Sequence, residues 1–218
     1  PAYEVPSTDP DVKERNGDLV RVDMAALATL TPNSAGFAQL ERVVHLYESW
    51  IEEQEKKIVG LPPQHHEAAW RHIDECKAAA TRMRAGLEYL ATDSDALRAF
   101  QLANQAMWLQ QSRSRIDVRR VEIGKDERLV FNAPYPDVPK VVPGQRFWRA
   151  FQIAFLLMSL RSVAHGVHPE REVVELIWFP TGGGKTEAYL GLAAFSMFLR
   201  RLRNPSDDGV EVLMRYTL

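Results

Sequence analysis

A single cysteine, Cys76, stands in a chain of 218 residues. A lone thiol makes no internal disulfide and no cysteine-rich zinc site, so a reducing cytoplasm is the expected location. Long hydrophobic runs are missing as well. The longest, residues 153–160, is followed by Arg161 and falls well short of the ~18 residues that suggest a membrane span. No membrane partner is therefore expected. A dominant charge is lacking too: 27 Lys and Arg face 29 Asp and Glu, for a net charge of −2. That balance excludes a wholly basic coat for nucleic acid but leaves room for a local basic groove. The polar opening, with Pro1, Pro6 and Pro10, is unlike a signal peptide and reads as an extended arm over residues 1–32. Within that arm Leu19 to Val22 suggest a short strand, and Met24 to Leu30 one or two helical turns.

The 45% apolar content supports a real core, and its spacing is informative. After Pro32-Asn33-Ser34, a helix start, Phe37, Leu40, Val44, Tyr47, Ile51, Gln54 and Ile58 recur by threes and fours. Gly60 and Leu61-Pro62-Pro63 end that helix. A second helix over 64–90 carries Ala69, Ile73, Cys76, Ala80, Met83, Leu87 and Leu90 on one stripe. Each spans about 25 residues, or about 38 Å. Asp93-Ser94-Asp95 caps a third helix with Leu97, Phe100, Ala103 and Met107 inward. Residues 33–115 thus read as an α-helical module, a long antiparallel hairpin or bundle. Residues 116–144 read as a β-hairpin around Gly124-Lys125-Asp126 and a linker with Pro134, Pro136, Pro139 and Pro143.

The last unit, 145–218, reads as helix (147–164), strand (173–179), helix from Glu187 to Leu202, and strand (210–217). That order opens a doubly wound parallel α/β sheet. Between the first strand and its helix lies Pro180-Thr181-Gly182-Gly183-Gly184-Lys185-Thr186. Glycines let the backbone curl round phosphates, and bare N–H groups at a helix start bind them. Lys185 would neutralise the β- and γ-phosphates of a nucleoside triphosphate, and the Thr186 hydroxyl would ligate Mg2+. Phe179 stands where the full loop pattern has another glycine, so the match is to the motif's core. Gln152, on the preceding helix, offers one donor and one acceptor to an adenine edge, with Phe151 beside it. ATP and Mg2+ are the expected cofactors.

Other candidates read as ordinary structure. Asp74-Glu75 imitates an acidic metal box but sits within a helix upstream of the loop. His65, His66, His72 and Cys76 lack a second ligand pair and read as a solvated helix with one core thiol. Arg113, Arg115, Arg119 and Arg120 are diluted by Asp117, Glu122, Asp126 and Glu127. Trp50, Trp70, Trp108, Trp148 and Trp178 read as core. Glu187 reads as an acid favoured by the helix dipole.

The stretch from Pro180 to Thr186 resembles motif I of the superfamily-2 helicases and translocases. Arg149-Ala150-Phe151-Gln152 resembles their upstream glutamine motif, with Ala150 where proline is usual, and residues 214–218 resemble the start of motif Ia. The longer run from Leu176 to Leu192 is similar to large bacterial helicases of phage defence, those of the DISARM system first and of Druantia second. The resemblance covers roughly residues 144–218. It implies a RecA-like P-loop lobe, with Arg149, Gln152, Thr181, Gly182, Gly183, Gly184, Lys185 and Thr186 binding the nucleotide. Arg215 and Thr217 would contact DNA, and a DrmB-like subunit would be a partner. The implied activity is ATP-dependent movement on or remodelling of DNA. The Asp-Glu pair needed for hydrolysis does not follow within these residues, so this chain by itself is expected to bind ATP but not to hydrolyse it. A different class stays open: residues 33–115 as a docking or regulatory module, with the loop as a nucleotide-dependent switch.

Overall fold

A computed structural model describes residues 20–113, 119–134, 137–177 and 183–215. Outside them lie the arm up to residue 19, part of the basic cluster with Arg115, and Pro136. Trp178 to Gly182 and the C-terminal Tyr216, Thr217 and Leu218 also lie outside.

The fold begins with a short strand, β1 (Arg21–Asp23), and a one-turn helix, α1 (Met24–Ala28). Asp23 joins them: its carboxylate accepts the Ala25 N–H at 2.9 Å and the Gly144 N–H at 2.8 Å. Helix α2 (Ala35–Ile58) starts where expected, with Ser34 Oγ accepting the Phe37 N–H. Lys56 and Lys57 sit in its last turn, where positive charge suits the dipole. A short 3-10 turn (Pro63–His65) leads into α3 (His66–Thr92). Asp93 Oδ1 then accepts the Ala96 N–H at 2.8 Å at the start of α4 (Ser94–Arg113).

The far half of the α2–α3 hairpin holds a small cluster of its own, Ile51, Ile58, Ile73 and Ala80, with Tyr47, Ala69 and Cys76 against it. Ion pairs Arg84–Glu48 and Lys77–Glu55 cross the two helices. Trp50 and Trp70 are exposed, so the expectation that they belong to the core is corrected; Trp108 and Trp148 do belong to it. Asp74, Glu75 and His72 lie on the solvent face of α3. Among the described residues no three His, Cys, Asp or Glu side chains gather to hold a metal.

Strands β2 (Val121–Ile123) and β3 (Leu129–Phe131) pair antiparallel, with Val121 opposite Phe131, as the hairpin reading anticipated. Both are exposed along their length, and Arg119 lies 4.2 Å over the Phe131 ring. After the linker the chain forms a strand where a helix was expected. Residues Phe147–Arg149 are β4, antiparallel to β1 with Trp148 opposite Val22. Pairing with a strand at the other end of the chain overrides the local apolar pattern. Helix α5 (Ala150–Ala164) follows, then a 3-10 turn (Pro169–Glu172), and later α6 (Lys185–Arg203).

One core joins all of this. It draws Val22, Met24 and Leu27 from the start, Leu40 from α2, Leu87 and Leu90 from α3, and Phe100 and Trp108 from α4. Trp148, Leu157 of α5 and Phe195 of α6 complete it. Helix α3 packs on α5 and α4 on α6. The α3–α5 approach is close: a Cβ on Gly86 would lie 2.1 Å from the Leu157 carbonyl oxygen. Inside this core Trp148 Nε1 donates to Asn104 Oδ1 at 2.6 Å, and the Asn104 amide donates to the Phe100 carbonyl at 2.8 Å, so the buried indole and amide satisfy one another.

The architecture is therefore mostly helical, with two two-stranded sheets. The parallel sheet expected to open a RecA-like lobe is not formed among the described residues. Residues 173–177 and 210–215 carry no strand pairing; Val173, Val174, Leu176, Val210 and Leu213 are exposed, and Ile177, Val212 and Met214 are half-buried. A central parallel strand takes its hydrogen bonds from neighbours on both sides, and no strand among the described residues pairs with these segments. No helix among the described residues is long and apolar enough to cross a membrane.

Candidate functional site

The site is built where β4 turns into α5 and faces the start of α6. Arg149, at the end of β4, is the N-cap of α5. Its backbone N–H donates to Gln152 Oε1 at 2.8 Å, closing the first turn of the helix. Gln152 is thereby fixed, and it is only 4% exposed. Its amide nitrogen donates to the Gly184 carbonyl at 2.7 Å. The Arg149 guanidinium donates to the Gly183 carbonyl, also at 2.7 Å, and lies 5.4 Å from the centre of the Phe151 ring. Two residues of the upstream motif thus hold two consecutive carbonyls of the glycine loop. Phe151 packs beside Arg149.

Gly184 is required on two counts. Its φ of +92° lies in the left-handed region, which favours glycine. A Cβ there would also stand 2.6 Å from the Gln152 amide nitrogen. Helix α6 begins at the next residue, and no side chain caps it. Its first N–H groups have no partner within the helix, and the dipole adds positive potential. Lys185 and Thr186 are its first two residues, Thr186 exposed, with Glu187 in the same turn.

A cavity of about 690 Å³ opens beside this helix start. Lys185, Thr186 and Tyr189 line one side; Arg171, Met214 and Arg215 are also in its wall. Residues 211–215 are brought there by α6 itself. Arg200 binds Asp207 and Glu211, the latter at 2.9 Å, and Ser196 also donates to Glu211. These contacts hold the Arg200 pKa above its ordinary value and the Asp207 pKa below its own, the mutual hydrogen bond being the main cause in each. Arg171, on the 3-10 turn after α5, donates to the Ser162 and Val163 carbonyls.

Of the expected site residues, Arg149, Gln152, Gly183, Gly184, Lys185 and Thr186 come together, and Arg215 shares a cavity with Lys185 and Thr186. Thr181, Gly182 and Thr217 lie outside the described residues. Arg171 was not anticipated; a single arginine in Pro169-Glu170-Arg171-Glu172 offers no local signal.

No protein family model matches the sequence. The chain is 33% identical over 236 aligned residues to the DISARM protein DrmA of Bacillus paralicheniformis. The match takes in 100% of this chain and 19% of that relative, so the chain spans about a fifth of its length. By sequence, then, this chain is homologous over its whole length to a segment of the DISARM protein DrmA.

Proposed function

We propose that this chain carries the ATP-binding loop of an ATP-dependent DNA helicase or translocase that acts in phage defence. The observation that carries the reading is the join between the two motifs: Arg149 and Gln152 grip the carbonyls of Gly183 and Gly184 directly ahead of an uncapped helix. The groups present fit a nucleoside triphosphate. The positive end of the α6 dipole, with Lys185, Arg171 and Arg215 around one cavity, suits several clustered negative charges. The volume lies within the range of ordinary ligand pockets.

On this reading Lys185 neutralises the outer phosphates, and the α6 N–H groups hold phosphate oxygens. Gln152, buried and with both ends of its amide engaged, serves the site by holding the Gly184 carbonyl. Thr186 would hold Mg2+, which supplies charge neutralisation at the β- and γ-oxygens. Arg215 and Thr217 would meet the DNA backbone. The acidic pair that serves hydrolysis lies, on this reading, in another part of the protein. The homology to a DISARM protein supports a defence setting, and the reading includes a DrmB-like partner subunit.

The test is equilibrium binding of a fluorescent ATP analogue with Mg2+ to the chain, alongside phosphate release. Binding without turnover is expected, and Lys185→Ala should weaken it at least about tenfold. Equal binding by the variant would sink the reading, and steady phosphate release by the chain would refute the missing acidic pair.

A further inference from the structure

Residues 173–177 lead into the glycine loop, yet they have no sheet to fix them. Their anchor comes from α3. Arg82 is 18% exposed, and it stands one helical turn before Gly86, where α3 meets the backbone of α5. From there its guanidinium reaches three partners. Nε donates to Glu170 at 2.8 Å, and Nη2 donates to the Met158 carbonyl at 3.3 Å and to Glu175. Met158 belongs to α5, Glu170 to the 3-10 turn, and Glu175 to the lead-in segment itself. Burial works against the charge on Arg82, but hydrogen bonds and attraction from Glu175 and Glu170 outweigh it and raise its pKa. One planar guanidinium thus ties three consecutive parts of the chain to the helical body, a task that its fixed fork suits and a lysine cannot repeat.

We propose that Arg82 is a positioning residue for the nucleotide site: it clamps Glu175 and fixes the course of residues 173–177, the described segment that leads toward the glycine loop. This rests on the nucleotide-binding reading above. Nucleotide affinity then depends on a side chain about a hundred residues upstream of the loop.

The experiment compares Glu175→Gln, Glu170→Gln, Arg82→Lys and Lys185→Ala in the whole chain. Binding of the fluorescent ATP analogue and hydrogen exchange of backbone amides over 173–184 without nucleotide are both measured. Glu175→Gln and Arg82→Lys should weaken binding about fivefold, the loss of one charge-assisted hydrogen bond, and speed exchange over 173–184. Glu170→Gln, which leaves the lead-in segment clamped, should do neither. The melting temperature guards against general unfolding. Equal losses in Glu170→Gln and Glu175→Gln would mean plain structural support and overturn the clamp. So would unchanged binding or unchanged exchange in Glu175→Gln while Lys185→Ala still loses nucleotide. If Lys185→Ala binds as well as the parent, the nucleotide reading itself has failed, and faster exchange alone would not rescue the positioning role.

Discussion

Helix α3 and the two extended segments beside the glycine loop are both apolar, but they meet opposite fates. In α3, Met83, Leu87 and Leu90 are buried against α5 and the rest of the core. In the segments, Val174 is 90% exposed and Leu213 94% exposed. The difference lies in the backbone. A helix satisfies its own N–H and C=O groups and needs only one face covered. An extended strand borrows its hydrogen bonds from neighbours, so an apolar run without neighbours has nowhere to go. The helix start, Gln152 and Arg149 come together without a sheet among the described residues.

The comparison breaks most readily at the point where the helical body is tightest. Gly86→Ala drives a methyl group into the Leu157 carbonyl. We expect a loss of about 3 kcal/mol or more, seen as a melting temperature lower by about 6–12 °C. An unchanged melt would mean that α3 and α5 are not in close contact.

A smaller effect is expected at the far end of the same body. His165, at the end of α5, packs edge-on against Tyr89 at 5.1 Å, and Arg203 donates to Tyr89 at 2.6 Å and to Asp93 at 3.0 Å. Burial first, then repulsion by Arg203 and Arg161, lowers the His165 pKa below 6.5; Asp93 opposes this and His168 adds slightly to it. The unfolded chain therefore binds this proton more readily. The stabilisation is whole above pH 6.5 and is lost as pH falls below that value. Melting at pH 5.5 should lie about 1–2 °C below that at pH 7.5, and His165→Gln should remove most of the difference. A pH-independent melt in the parent would count against the packed, uncharged imidazole.

The smallest effects belong to the extended segments. Leu176→Ser and Leu213→Ser should each change stability by less than about 0.5 kcal/mol in urea unfolding of this chain. A cost above about 2 kcal/mol at either position would show a buried strand there and erase the contrast with α3.

These contrasts explain what the sequence makes legible. The helices announce themselves through threes and fours and through caps such as Ser34 and Asp93, which are local signals. Gly183, Gly184, Lys185, Arg149 and Gln152 are legible because each motif is contiguous. Strand β4 is not, because three residues running into an apolar helix show no alternation, and their partner lies near the other end of the chain. Arg82 and Arg171 are hidden for a related reason. Each acts through residues brought near by tertiary packing, and nothing beside either one in sequence marks it. The apolar runs at 173–177 and 210–215 signal a preference for burial but do not name what covers them.

The β1–β4 ladder carries a consequence for how the chain comes off the ribosome. Arg21 pairs opposite Arg149, so one of the first described residues must wait for a strand far along the chain to be made. Until then Val20, Val22, Met24 and Leu27 lack much of their cover, and the Asp23 carboxylate lacks its Gly144 partner. The α2–α3 hairpin, made of contacts close in sequence, can form early; closure of the ladder is a late, non-local event. The same step also fixes Arg149, which later meets the Gly183 carbonyl. In synthesis order, the ladder can close before Gly183, Gly184 and α6 are made, and α6 then completes the body.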